Sequence, residues 1–290
     1  MPKHRQPSPP PADAEDPILQ GGAWLPHGYR LDPHSHHQGQ LVYAAAGVLA
    51  TTTERGTWVA PADRITWTPP RFAHAHRFYG QTDVRLVSVP RDLCAGLIDH
   101  PSVFAVSPLL REALLALTDE PERRPGAHRR LLGVIVDELA DAAETSLHLP
   151  EASDDRLRAA TDLLRADPAR PDTLAALGRA VGAGERTLSR LFHSELSMSF
   201  HRWRTTLRIH HALAHLTDGM SVTETAVACG WSNPSTFIDA FTDVVGQTPG
   251  RYQAGLRIHG RQPAQAWRVS GIRSPVTSGL RSAGLSQWSA

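Results

Sequence analysis

The chain has 290 residues, a formal net charge of +1 and 41% hydrophobic side chains, which excludes a fully disordered chain and suggests about two domains at ~100–200 residues each. The longest apolar stretch, Leu41–Ala50, is about half the length a membrane helix needs, and the opening MPKHRQPSPPPADAEDP has no apolar run behind its charges, so neither a membrane span nor a secretory signal is expected. Two cysteines, Cys94 and Cys229, exclude a disulfide scaffold and a cysteine-built zinc site and fit a reducing, cytoplasmic location.

Residues 1–17 hold six prolines and almost no apolar side chain, and read as a disordered lead. From Trp24 to Val89 short apolar or β-branched runs alternate with Gly and Pro: Gln40–Leu49, Gly56–Val59, Arg64–Thr68 and Val84–Val89. This texture predicts consecutive antiparallel strands in a small all-β unit. Two amphipathic helices are expected over Ser107–Leu117 and Ala127–Ala143, the second with Leu131, Val134, Ile135 and Leu139 on one stripe. They either complete a core or present a dimer face. Thr145–Ser153 reads as a linker, and Asp154 to Leu256 is helical in pattern. The remainder, residues 258–290, lacks periodicity and reads as a mostly disordered tail. Charge rises weakly along the chain, from −4 over residues 1–151 to +1 over 152–257 and +4 over 258–290. Charge alone does not identify a nucleic-acid binder.

An internal repeat carries more information. Gly178 and Gly182 recur as Ala226 and Gly230, an offset of 48; Leu188, Phe192, Leu196 and Trp203 recur as Phe237, Phe241, Val245 and Tyr252, an offset of 49. A helix-turn-helix needs a small residue where its two helices cross, and its turn favours a left-handed residue, which Gly182 and Gly230 supply. Between the repeats, Ser199–Thr217 reads as one helix with Ser199 as N-cap and Gly219 just past its end. At ~1.5 Å per residue it spans ~28 Å, close to the ~34 Å between successive major grooves on one face of DNA.

Leu174–Tyr252, through RTLSRLFHSELSMSFHRW and VTETAVACGWSNPSTFIDAFTDVVGQTPGRY, resembles the DNA-binding domain of AraC/XylS-type transcription regulators. The resemblance implies seven helices, two of them recognition helices, and double-stranded promoter DNA as partner, with RNA polymerase a candidate second partner. Ser197 stands where the family usually has Gly, which should strain that helix end. Asp239 stands where a basic residue is common.

On Glu185–Glu195 the inward positions Leu188, Leu191 and Phe192 turn Arg186, Thr187, Ser189 and Arg190 outward. Arginine can grip guanine O6 and N7 with two hydrogen bonds, and Arg190 is the best single candidate. On Asn233–Val245 the outward set is Asn233, Ser235, Thr236 and Asp239, with no cation. The first hairpin is therefore expected to dominate base readout, and the second to dock by short polar contacts and helix N-terminal amides. Arg202, Arg204, Arg208 and Arg251 are phosphate candidates.

The other constellation is His34-Ser-His36 followed by Gln40 and Gly47, then, after a β-rich gap, Pro70, His74 and His76. Positions 34, 36 and 40 share parity on a continuous strand, and His74 could close the set. Three imidazoles and one oxygen donor, His34, His36, His74 and Gln40, make a candidate site for a divalent metal. The spacing resembles the two cupin motifs, with Gln40 in place of the usual glutamate and Arg71 in place of the second motif's glycine. Gln brings no charge to a dication, so metal affinity should fall and an anionic ligand becomes easier to hold. Tyr43, Trp67 and Arg71 are candidate walls of the same effector pocket, as a stacking surface and an anion contact.

The expected fold is thus multidomain α+β. It comprises a cupin-like antiparallel β-barrel sensor (18–100), a helical pair and linker serving dimerisation (101–150), and an all-α domain with two helix-turn-helix units (151–257). The expected function is sequence-specific DNA binding by a homodimeric, non-enzymatic transcription regulator whose barrel senses a small molecule or metal. The alternative is a metal-dependent cupin enzyme, a dioxygenase or isomerase, with a helical appendage. It explains the histidines and leaves the duplicated hairpin unused. A DNA-repair methyltransferase is set aside, because two cysteines cannot build the zinc site it needs.

Overall fold

Two long strands organise the N-terminal half. β3 (Gly39–Thr53) is buried at nearly every position, and β6 (His74–Val89) alternates between buried and partly exposed side chains over its first half. The computed structural model describes residues 20–119, 125–145 and 147–259; the expected lead over 1–17 and the tail from 260 onward lie outside them. β3 and β6 pair along their whole length, with register slips between Ala44 and Val48. Gly47 sits at that slip with φ 86, and a Cβ there would run into the backbone of Thr82. The slip bends both strands, so each serves two lobes. One lobe adds β1 (Gln20–Leu25), β5 (Arg64–Thr68) and β7 (Ser102–Ala105); the other adds β2 (Arg30–His34), β4 (Gly56–Pro61) and β8 (His148–Pro150). All these pairings are antiparallel. The lobes fold over an apolar interior that includes Leu25, Val42, Leu49, Trp58, Phe78, Val84 and Val103.

The outer faces of the two lobes have different covers. Leu41, Tyr43, Ala45, Ile65 and Trp67 pack against α1 (Pro108–Asp119) and α2 (Pro125–Asp141) through Leu110, Leu114, Leu117, Leu132, Ile135 and Leu139. The helical pair therefore completes a core. The stretch read as a linker does more than connect: Leu147 and Leu149 are buried, and β8 extends the sheet beside β4. β7 is likewise a strand where the sequence suggested none.

Among the described residues the C-terminal half holds seven helices: α3 (Asp155–Ala166), α4 (Leu174–Ala180), α5 (Glu185–Leu196), α6 (Phe200–Thr217), α7 (Val222–Ala228), α8 (Pro234–Val245) and α9 (Pro249–His259). Their starts are written in side chains. Asp154 accepts from the amides of Arg156 and Leu157, Ser199 from Arg202, and Ser221 forms a capping box with Glu224. Long α6 joins two small cores. Its Trp203 and Leu207 pack with Leu157, Leu177, Leu188 and Phe192. Its Ile209, Leu213 and Leu216 pack with Ala226, Phe237, Phe241 and Tyr252.

The repeat governs both turns. Ala183 N–H donates to the Gly178 carbonyl and Trp231 N–H to the Ala226 carbonyl, with Gly182 at φ 69 and Gly230 at φ 81. The two recognition helices end alike, at Ser197 with φ 52 and Gly246 with φ 86. Ser197 thus carries the left-handed strain that glycine avoids. Ser197→Gly should raise stability by about 0.5–1 kcal/mol, read as an upward shift of the urea midpoint.

The second small core continues into the sheet. Val48, Ala50, Val59 and Leu147 belong to the same cluster as Leu213, Phe237 and Phe241. Polar contacts flank this seam. Arg64 Nη2 donates to the Val245 carbonyl at 3.1 Å, Gln247 to Asp63 at 3.2 Å, and His27 Nδ1 lies 2.8 Å from Asp218. Burial in the seam lowers the α6 histidines below their ordinary 6.5, His210 to about 3, His211 to about 4 and His215 in the same direction. The unfolded chain then binds more protons than the folded one below pH 6.5. This contribution is complete above that pH and is lost as acid approaches the folded values. Denaturant titrations at pH 7.5 and 5.0 should show a lower midpoint at pH 5.0.

Candidate DNA interface and histidine site

α5 buries Leu188, Leu191, Phe192 and Leu196 and leaves Arg186 and Arg190 exposed, with Thr187 and Ser189 half-buried beside them. The 3.6-residue period places the cations on the face away from the core. No ion pair among the described residues occupies either arginine. Glu195 is otherwise engaged, accepting the amides of Ser153 and Asp154 at 2.8 and 3.0 Å. α8 buries Phe237, Phe241 and Val245 and exposes Asn233, Ser235, Thr236 and Asp239. Asn233 Oδ1 caps the helix by accepting from Ser235 N–H, so its NH2 is the part that faces outward to donate.

The spacer arginines divide. Arg202 and Arg251 are exposed. Arg204 stacks over Phe200 at 4.8 Å and donates to the Asp172 carbonyl. Arg208 is buried, donates to the Pro168, Ala169 and Arg170 carbonyls and lies over Trp231. Reading Arg208 as a phosphate contact is therefore corrected: it is a strut tying the first hairpin's approach loop to the second hairpin. A buried guanidinium needs acceptors, and three backbone carbonyls supply them.

On the inner face of the second lobe, strand parity brings the histidines together. His34 and His74 are register partners on β2 and β6, and His76 follows two residues on, facing the same way. His34, His74 and His76 each offer a nitrogen, all within 4.8 Å of one another. His34 Nδ1 lies 2.7 Å from the Asp32 carbonyl and His74 Nδ1 2.8 Å from that of Phe72. A carbonyl only accepts, so in each ring Nδ1 carries a proton, and the neutral form of the ring presents a lone pair at Nε2. Gln40 Oε1 lies 3.0 Å from His74 Nε2 and 3.1 Å from His76 Nε2. His76 Nδ1 meets the Thr51 hydroxyl at 3.0 Å. Burial lowers His74 to about 4 and drives His76 in the same direction, and the neighbouring imidazoles reinforce both shifts. Neutral imidazoles with a fixed tautomer and outer hydrogen bonds are the form that ligates metal.

The structure alters the expected set. His76 belongs with His34 and His74, and its parity with His74 was the available signal. His36 stands beside them, its ring 4.9 Å from His74, and its Nδ1 lies 2.7 Å from the Gln38 carbonyl. Tyr43 and Trp67 are not pocket walls: they point to the opposite face, against α1 and α2, and Trp67 Nε1 donates to the Ile98 carbonyl. Gln40 and Tyr43 are an odd number of residues apart on one strand, which sends them to opposite faces. Arg71 is exposed. Its backbone is the important part, with φ 67 and its N–H donating to the His36 carbonyl. That conformation explains why glycine suits this position.

Two matched helix-turn-helix units on one long connecting helix, each presenting a polar outer face, define a DNA-binding regulator. A helix-turn-helix domain family model matches residues 177–255. The HTH-type transcriptional regulator NimR of Escherichia coli (strain K12) is 31% identical over 242 residues, spanning 80% of this chain and 85% of NimR. The HTH-type transcriptional regulator GlxA of Rhizobium meliloti (strain 1021) is 35% identical over 82 residues, 28% of this chain and 25% of GlxA. The crystal structure of ToxT from Vibrio cholerae O395 aligns over 82% of this chain and 97% of ToxT, at 10% identity and a TM-score of 0.37. The chain belongs to the AraC-type family of helix-turn-helix transcriptional regulators. No helix among the described residues is long and apolar enough to cross a membrane.

Proposed function

We propose that this regulator, acting in the cytoplasm and without catalysis, reads promoter DNA chiefly through Arg186 and Arg190 and senses a divalent metal ion at its histidine site. The convergence of acceptors supports this: the lone pairs of His34 and His74 and the Gln40 oxygen face one space, with His76 beside them. Without a cation, Gln40 must turn its NH2 inward to donate. With one, all four groups are satisfied together, which fits zinc or another imidazole-binding dication. His34, His74, His76 and Gln40 would hold the ion, which would supply a positive charge shared by β2, β3 and β6. The protein holds the ring tautomers of His34 and His74 through the Asp32 and Phe72 carbonyls. Dimerisation through the α1–α2 region is part of the same reading, since Leu109 on α1 is 57% exposed.

Elemental analysis of protein purified without chelator should find about one metal per chain, and EDTA should change operator affinity. His74→Ala should lower metal affinity by more than about 100-fold, beyond the loss typical of a second-sphere partner. A metal-free protein whose DNA binding ignores EDTA overturns metal sensing. Turnover of a substrate by the iron-loaded full chain would favour the cupin-enzyme alternative.

A further inference from the structure

The two recognition helices are built alike and charged differently. At the repeat offset of 49, Arg186 and Arg190 of α5 correspond to Ser235 and Asp239 of α8. Asp239 is exposed on the second turn of α8, and Asp243 is exposed one turn further along. Neither carboxylate meets a cation among the described residues. Folding gives no reason for the pair, because like charges four residues apart weaken a helix. The hairpins also differ as wholes. Residues 173–203 carry four arginines against two glutamates, and residues 221–252 one arginine against three carboxylates. The second hairpin therefore gains nothing net from phosphate attraction. Its hold on DNA has to come from bases and from uncharged contacts.

The major groove offers such a side chain one good partner. An ionised carboxylate only accepts hydrogen bonds. Guanine shows two acceptors there, and thymine an acceptor and a methyl group, so both reject it. Adenine sets its amino donor beside the N7 acceptor. Cytosine alone shows a donor, N4, with no acceptor on the same edge. We infer that Asp239 selects cytosine, accepting from N4 in the half-site under the second hairpin. That cytosine lies about one helical turn, ~10 bp, from the guanine under Arg190. The inference rests on the reading of α5 given above and adds a base preference to α8. Exchange of Arg for Asp at matched positions turns a G·C pair in one half-site into a C·G pair in the next. At any other base Asp239 is left facing acceptors and phosphates, so it works by rejecting wrong sites as much as by holding the right one.

Selection from random duplex DNA by the full chain tests this. It is run with zinc and again in EDTA, so that both states of the histidine site are sampled. The unaltered protein should enrich a guanine and a cytosine about one turn apart. Asp239→Asn should change that cytosine to adenine, whose N6 and N7 an amide can grip together, and leave the rest of the site as it was. Asp239→Ala should leave the position undetermined while binding random DNA at least as tightly as the unaltered protein. On the selected duplex, replacing the C·G pair should cost the unaltered protein about tenfold in affinity and Asp239→Ala nothing. Arg190→Ala, read in the same pool, separates this inference from the one beneath it. Loss of the guanine in Arg190→Ala, with no response at any position to either Asp239 variant, would overturn the cytosine contact alone and leave the acidic face of α8 to a protein partner. A cytosine that persists in Asp239→Asn would also overturn it. No enrichment by the unaltered protein would overturn both.

Discussion

Arg190→Ala should weaken binding to the operator by about 10–100-fold, the 1–3 kcal/mol carried by a two-point arginine–guanine contact, while leaving the unfolding midpoint unchanged. Arg190 is exposed on α5 and engages no carboxylate among the described residues, so removing it costs no packing and breaks no ion pair. Arg251 provides the contrast. It is exposed at the start of α9 and reads as a phosphate contact. Its loss should weaken specific and random DNA alike and flatten the salt dependence by about one unit of slope. The decisive measurement is the ratio of operator to random-sequence affinity at fixed salt. That ratio should fall for Arg190→Ala and hold for Arg251→Ala. If Arg190→Ala lowers both affinities equally, Arg190 touches phosphate and base readout lies elsewhere on α5.

Phe241→Ala should cost about 3–5 kcal/mol of stability, the range for deleting a fully buried aromatic ring. Its ring lies 5.8 Å from Phe237 and 5.9 Å from Tyr252, and the cluster it anchors includes Val48, Ala50 and Val59 of the sheet. Against a typical total of about 5–15 kcal/mol, that is a large share. The loss should also loosen the seam. Phe192→Ala, in the core that holds α3 to α5 on the first half of α6, is the matched control. It should destabilise comparably while leaving the contacts of Val48 and Val59 intact. Urea unfolding followed by circular dichroism gives the first quantity, and hydrogen exchange across β3 and β4 separates the two variants. A loss under about 1 kcal/mol for Phe241→Ala would mean the seam core is not packed as described.

The helical half was legible because its signals are local and repeated. Caps such as Asp154, Ser199 and Ser221 sit where short-range hydrogen bonding dictates, and the spacing of Leu188–Phe192 and Phe237–Phe241 fixes which face is buried. The histidine site was legible in part. His34 and Gln40 do face one space, but from separate strands, β2 ending at His34 and β3 beginning at Gly39, so shared parity on one continuous strand was not the cause. Parity within β3 and within β6 would have moved Tyr43 out and brought His76 in. Trp67 needed the pairing of β5 with β3, which no local pattern reveals. Long-range features were beyond reach for the same reason. β8 is three residues that count as a strand only because β4 lies beside them, and Arg208 resembles any solvated arginine until the carbonyls of residues 168–170 close around it.

Continuity of the sheet core with the second hairpin sets how strongly the two halves must attract each other. They are joined by a short segment whose end, β8, is itself bound to β4, so docking is intramolecular, with an effective concentration in the millimolar range for a tether of this kind. An interface of modest intrinsic affinity therefore stays closed most of the time. It also stays adjustable, since a change of about 1.4 kcal/mol shifts the closed-to-open ratio tenfold. The second hairpin, fastened to the sheet through Val245 and Gln247, has its freedom set by that ratio. The first hairpin is anchored to the sheet domain mainly through residues 149–154. A signal at the seam would thus act as a governor on one hairpin of the pair, changing how often both can face the same stretch of DNA, and leave the other hairpin's grip untouched.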